Sequence, residues 1–99
     1  KGGSGCISVT ANIAPKLCAE FQEASLSKNN DNLLSRAKEI NEKLMPLHNS
    51  LFIESSPSPV KYAASLLKLC TEDVRLPLVK ITSSTKEKVK SAMQHAGLL

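Results

Sequence analysis

One stretch of this 99-residue chain has the composition of a β-strand, and no convincing second one accompanies it. Cys6-Ile7-Ser8-Val9-Thr10 follows the glycines of "KGGSG" and is β-prone. Ile7 and Val9 fall on one face of it, and Cys6, Ser8 and Thr10 on the other. Neither face is charged, which fits a strand covered on both sides, as in a parallel sheet or barrel. An extended strand presents a row of backbone donors and acceptors that need partners. One strand alone cannot supply them, so the chain cannot complete a sheet from its own residues. "KGGSG" by itself has the composition of a flexible linker or an added tag.

Everything after Thr10 has helical periodicity. Asn12 and Pro15 mark a helix start, since Pro is tolerated in a first turn where its missing N–H has no partner to lose. Ile13, Leu17, Phe21 and Ala24 then share one helical face, which predicts a helix to about Leu26. "SKNNDN" breaks it, with Asn30 or Asp31 able to cap the next. Leu33, Ala37, Ile40, Leu44, Leu47 and Leu51 form the strongest stripe, opposed by Arg36, Lys38, Glu39, Glu42 and Lys43. They predict an amphipathic helix from about Asp31 to Phe52, about 30 Å long, with a kink or short break at Pro46. Pro57 and Pro59 stop it from continuing. Ser58 is positioned to cap a third helix carrying Val60, Ala63, Ala64 and Leu67. "VRLPLVKIT" reads as an extended connection held out of helix by Pro77. Ser84 and Glu87 fit a capping box before a last helix with Val89, Ala92, Met93 and Ala96, and Gly97 as its C-terminal stop. One strand followed by about four helices is a mostly α chain that does not close into a self-sufficient architecture.

Composition narrows the partners. The chain is 41% hydrophobic with Phe21, Phe52 and Tyr62 as its only aromatics, so aliphatic side chains must build the core. Its formal charge of +4 is spread along the sequence, apart from Lys86, Lys88 and Lys90 around Glu87. That is a solvated helix face and not the aromatic-interleaved basic stripe of a nucleic-acid binder. Cys6, Cys18 and Cys70 are odd in number, lack a C-x-x-C motif and sit beside apolar residues. They predict buried, reduced thiols in a cytoplasmic protein, with no zinc site. No apolar run of about 18 residues is present.

Three quoted segments carry a resemblance. "GGSGCISVTANIAP", "LMPLHNSLFIESSPSPVKYA" and "RLPLVKITSSTKEKV" follow one another in the order found in the C-terminal third of the dihydrodipicolinate synthase family, in which N-acetylneuraminate lyase is a sister aldolase. The resemblance runs from Gly2 to Leu99 without a large gap. It implies a (β/α)8 TIM barrel followed by a C-terminal helical domain. Residues 1–28 would be the last β/α unit, with the eighth barrel strand ending at Thr10, and residues 29–99 the helical domain. The strand's partners, the first and seventh strands, would lie in sequence outside this chain. The implied activity is a lyase reaction of lysine biosynthesis that condenses pyruvate with L-aspartate-4-semialdehyde through a lysine Schiff base, without metal or organic cofactor. The family's members are commonly homotetramers.

The family's catalytic lysine, tyrosines, threonine and arginine map onto none of these residues. Ile7 alone is carried over, matching the eighth-strand residue that lines the pyruvate subsite. On the residues alone it would be barrel core. Lys61 is not a Schiff-base candidate, because a first-turn lysine without a desolvating pocket keeps its charge. Tyr62 reads as a packing residue in the same helix. His48 with Cys18 or Cys70 lacks an orienting carboxylate, so a thiol nucleophile is not supported, and His48 reads as polar packing near Pro46. The chain alone is therefore expected to be inactive. The alternative is a standalone helical interaction module whose apolar faces bind a partner or self-associate.

Overall fold

A computed structural model describes residues 2–27 and 30–99. Lys1 of the glycine-rich opening, Lys28 and Asn29 of the expected interhelical break, and the boundary drawn between residues 28 and 29 lie outside the described residues. Four helices follow a short 3-10 turn at Thr10–Asn12: α1 (Pro15–Leu26), α2 (Asp31–Ser50), α3 (Ser58–Leu66) and α4 (Ser83–His95).

The expected strand at Cys6–Thr10 does not form. Among the described residues none is in a strand; residues 2–7 have no regular structure and Thr10 already belongs to the 3-10 turn. The physical reason is the one the sequence raised: a ladder needs a neighbour, and no described residue provides one.

α1 begins with Pro15 in its first turn, as the missing proline N–H allows. α2 is capped by Asn30, whose Oδ1 accepts from the N–H groups of Asn32 (3.1 Å) and Leu33 (3.3 Å). Asp31 places a negative charge in the same turn, where the helix dipole favours it. The stripe Ala37, Ile40, Leu44, Leu47 is buried and Leu51 closes it, but Leu33 at its start is partly exposed beside Glu20 and Arg36.

Pro46 does not break α2. Its missing N–H leaves the Glu42 carbonyl without its intrahelical donor. The ring of His95, at the end of α4, donates from Nε2 to that carbonyl at 3.2 Å. A neighbouring helix thus fills the position the proline vacates.

Two expected caps are displaced. Ser58 is the first residue of α3 and makes no cap; Pro57 stands before it, and its carbonyl accepts from Lys61 N–H at 2.9 Å. At α4 the cap is Thr82, not the Ser84–Glu87 box: Thr82 Oγ1 accepts from Thr85 N–H (3.4 Å). Glu54, from the loop after α2, accepts from Thr82 N–H (3.0 Å) and Thr82 Oγ1–H (3.2 Å). Hydrogen bonds from Thr85 and then from the Thr82 backbone hold the Glu54 carboxyl below its ordinary pKa.

α3 and α4 end in the same motif. Gly97, at φ +79°, donates to Gln94 O, and Leu98 N–H reaches Met93 O. Lys68, at φ +60°, donates to Ser65 O, and Leu69 N–H reaches Ala64 O. Each is a Schellman turn with its left-handed residue just past the helix. α2 packs on α1 and α4, and α3 packs on α4. The core between them is built from Ile13, Ile40, Leu44, Leu47, Leu51, Val60, Val89 and Met93.

Candidate functional site

The segment before Thr10 lies against α1 and α2, where Cys18 and His48 come together; Ile7, Lys61, Tyr62 and Cys70 do not join them. Its backbone is unpaired, and its residues become more buried from Ser8 to Thr10. Cys6 and Ser8 turn toward α1 and line a cleft of about 260 Å³ with Cys18, Gln22, Leu44 and His48. Gln22 Nε2 approaches Cys6 Sγ at 3.8 Å. Ser8 Oγ accepts from Ala11 N–H at 3.2 Å, and Val9 O accepts from Asn12 N–H at 3.1 Å and from Asn12 Nδ2 at 3.0 Å. Ile7 does not line the cleft and is fully exposed, at 107% of its reference surface. Val9, two residues on, is partly buried against the core, whereas nothing among the described residues covers Ile7.

One contact fixes the end of this segment. Thr10 is 1% exposed, and its Oγ1 lies 2.7 Å from Nδ1 of His48 on α2. Burial lowers the His48 pKa, so the ring is neutral at pH 7. With the proton on Nε2, the Thr10 hydroxyl donates to Nδ1. Thr10 O also accepts from Ile13 N–H (3.1 Å) and Ala14 N–H (2.9 Å), both of buried residues.

The cleft does not assemble a nucleophile. Burial raises the Cys18 pKa, a hydrogen bond with Ser8 opposes it, and Cys6 raises it further. A protonated thiol beside a neutral imidazole is inert, and no carboxylate lines the cleft to orient the ring. Cys6 and Cys70 are exposed and Cys18 is half-buried, so the expectation of three buried thiols is corrected; all three are free. They flank apolar residues in sequence, but Cys6 and Cys70 face solvent and Cys18 packs only partly against the core.

Lys61 and Tyr62 serve the fold. The Lys61 ammonium donates to the Asp73 carbonyl and ties α3 to the connection that follows it. Lys86 Nζ sits 5.1 Å above the Tyr62 ring while pairing with Glu72 at 2.8 Å. Among the described residues no three metal-ligating side chains come together, and no helix is long and apolar enough to cross a membrane.

The Thr10–His48 pair was not legible in the sequence, since 38 positions separate its members. The available signal was Thr10 as a polar residue on the helix-facing side of the segment.

A family model described as the dihydrodipicolinate synthetase family matches residues 1–96. The 4-hydroxy-tetrahydrodipicolinate synthase of Pelagibacter ubique is 60% identical over 99 residues, which are 100% of this chain and 33% of that one. Among solved structures, the dihydrodipicolinate synthase of Thermotoga maritima superposes with a TM-score of 0.89 at 39% identity, covering 99% of this chain and 32% of the other. The chloride-inhibited synthase of Acinetobacter baumannii in complex with pyruvate gives 0.87 at 40% identity, covering 99% and 32%. The chain spans about a third of the length of the relatives it matches, in their C-terminal part.

Proposed function

This chain belongs to the dihydrodipicolinate synthetase family, and on that premise we propose that it is the C-terminal segment of a 4-hydroxy-tetrahydrodipicolinate synthase. In this reading residues 1–28 are the last β/α unit of a (β/α)8 barrel and residues 29–99 its helical domain. The assembled enzyme works in the cytoplasm as a homotetramer in lysine biosynthesis. A lysine amine outside this chain condenses with the pyruvate ketone, releasing water and leaving an iminium. Loss of a methyl proton gives an enamine, whose carbon attacks the aldehyde of L-aspartate-4-semialdehyde. Ile7 forms part of the wall of the pyruvate subsite.

The observation that carries this reading is the state of Ile7. A β-prone, unpaired segment packs its polar side on α1 and leaves a large aliphatic residue wholly in solvent. In the proposed barrel the neighbouring strands cover it. The family match along the chain supports that setting.

The test is complementation. The chain alone, treated with pyruvate and borohydride, is expected to gain no covalent adduct by intact mass. Mixed or fused with the part of the Pelagibacter ubique synthase that precedes the matched region, it is expected to restore pyruvate-dependent condensation. Stoichiometric labelling of Lys61, or of any other lysine here, would overturn the assignment. A chain that stays a cooperative monomer and never complements would favour the interaction module instead.

A further inference from the structure

We propose that His48 is a positioning residue for pyruvate binding: from α2 it holds the Thr10 hydroxyl, and through it the end of the segment that carries Ile7. The proposal rests on the synthase reading above and adds a residue and a route to it.

The anchor is rigid on one side. His48 follows Leu47 and lies one turn after Leu44, in the most deeply buried part of α2. Its backbone is therefore held by the core, and its ring reaches out to the cleft. The other side is loose. Before Thr10 the segment has no strand ladder of its own, and the described backbone contacts of its end converge on Ser8, Val9 and Thr10. Of these, the Thr10–His48 contact is the one that reaches α2. Ile7 lies three residues upstream of Thr10, across the turn that Val9 opens. Where Thr10 is pinned sets where Ile7 stands against a ligand.

The polar chemistry suits a positional role. The titratable groups facing His48 across the cleft are Cys6 on the segment and Cys18 on α1; burial raises the Cys18 pKa, and no carboxylate lines the cleft to recruit the ring into proton transfer. The ring never approaches the face on which Ile7 stands. It acts through Thr10, by hydrogen-bond geometry.

That geometry identifies the variants. Asn places a polar atom where His48 carries Nδ1, whereas Gln places one nearer Nε2. In the fusion of the Pelagibacter ubique N-terminal part with this chain, His48→Ala and His48→Gln are expected to raise the KM for pyruvate about tenfold, with kcat within about twofold. His48→Asn is expected to stay near the parent value. Thr10→Val is expected to behave as His48→Ala does, and Thr10→Ser as the parent does. A role confined to folding would reduce the amount of active protein and leave the KM of the folded fraction alone. Unchanged KM in His48→Ala, or a KM in His48→Asn as high as in His48→Ala, would overturn the proposal.

A second readout does not need activity. In the 99-residue chain, Thr10→Val is expected to shift the Nδ1 resonance of His48 in imidazole nitrogen NMR, and Thr10→Ser to leave it in place. An inactive parent fusion would count against the synthase reading. The NMR comparison then decides the contact on its own, and an Nδ1 resonance indifferent to Thr10→Val overturns it.

Discussion

Gly97 and Lys68 occupy the same left-handed position in two copies of one helix-ending motif, and only glycine adopts that conformation without strain. Lys68→Gly is expected to raise stability by about 0.5–1 kcal/mol and Gly97→Ala to lower it by about 1 kcal/mol, read by urea unfolding of the chain. Nothing lies within 4 Å of a Cβ placed on Gly97, so its cost is conformational and not a clash. His48 gives the chain an acid sensitivity. Burial lowers its pKa from 6.5, so the unfolded chain takes up the proton first as pH falls. The stabilising contribution is complete above about pH 6.5 and is lost as pH falls through the lower folded value. The urea midpoint is expected to decline between about pH 7 and 5, and to decline less in His48→Asn. A midpoint difference between the two proteins that is constant over that range would show that the ring does not titrate with folding. Gly97 was legible in the sequence, because a glycine after a periodic run has one common use. Lys68 was not, because nothing in a lysine announces a positive φ.

At the scale of elements, α2 and the apolar face of α4 follow from spacing, since burial repeats every three or four residues, and α1 follows it more weakly, with Ala24 buried and Leu17 and Phe21 partly so. The caps were less legible. Thr82 is preferred over Ser84 because Glu54, 28 residues away in sequence, supplies a carboxylate to that turn. Such a partner is set by tertiary packing and leaves no local trace. The strand was legible as a strand-like composition yet fails to form, because pairing is a property of two segments. Pro46 is the most instructive case. Local chemistry predicts a kink or break; the helix runs on through Pro46 without a break, and α4 supplies the missing donor from His95 to the Glu42 carbonyl. His95→Ala is expected to cost about 0.5–1 kcal/mol. In a Pro46→Ala background the restored N–H at position 46 can take that carbonyl, and the cost of His95→Ala should shrink. A double-mutant cycle by urea unfolding measures the coupling. Additive effects would mean that the two residues act independently.

The whole molecule exposes more surface than its mass requires. Its accessible area is 6685 Å², against about 5,500 Å² for a compact monomer of this size. Its extents are 47 × 24 × 21 Å and its radius of gyration is 14.6 Å, where a compact chain of this length has about 13 Å. The excess is on the scale of one partner's share of a standard interface. Ile7, Phe52, Leu69 and Leu76 are among the apolar side chains that contribute to it. Adding the preceding part of the Pelagibacter ubique synthase is expected to raise the melting temperature of the chain and to lower its binding of a hydrophobic dye. No change in either would mean that this surface is not waiting for that partner. Pro46 has one more consequence, on the axis of time. The half of α2 before it pairs with α1 through Arg36 and Glu20, and the half after it holds Thr10 through His48. The helix is continuous through Pro46, but its own ladder lacks a rung between those halves. Its amides should therefore exchange with solvent as two cooperative units, opening independently, with the step in protection at residue 46.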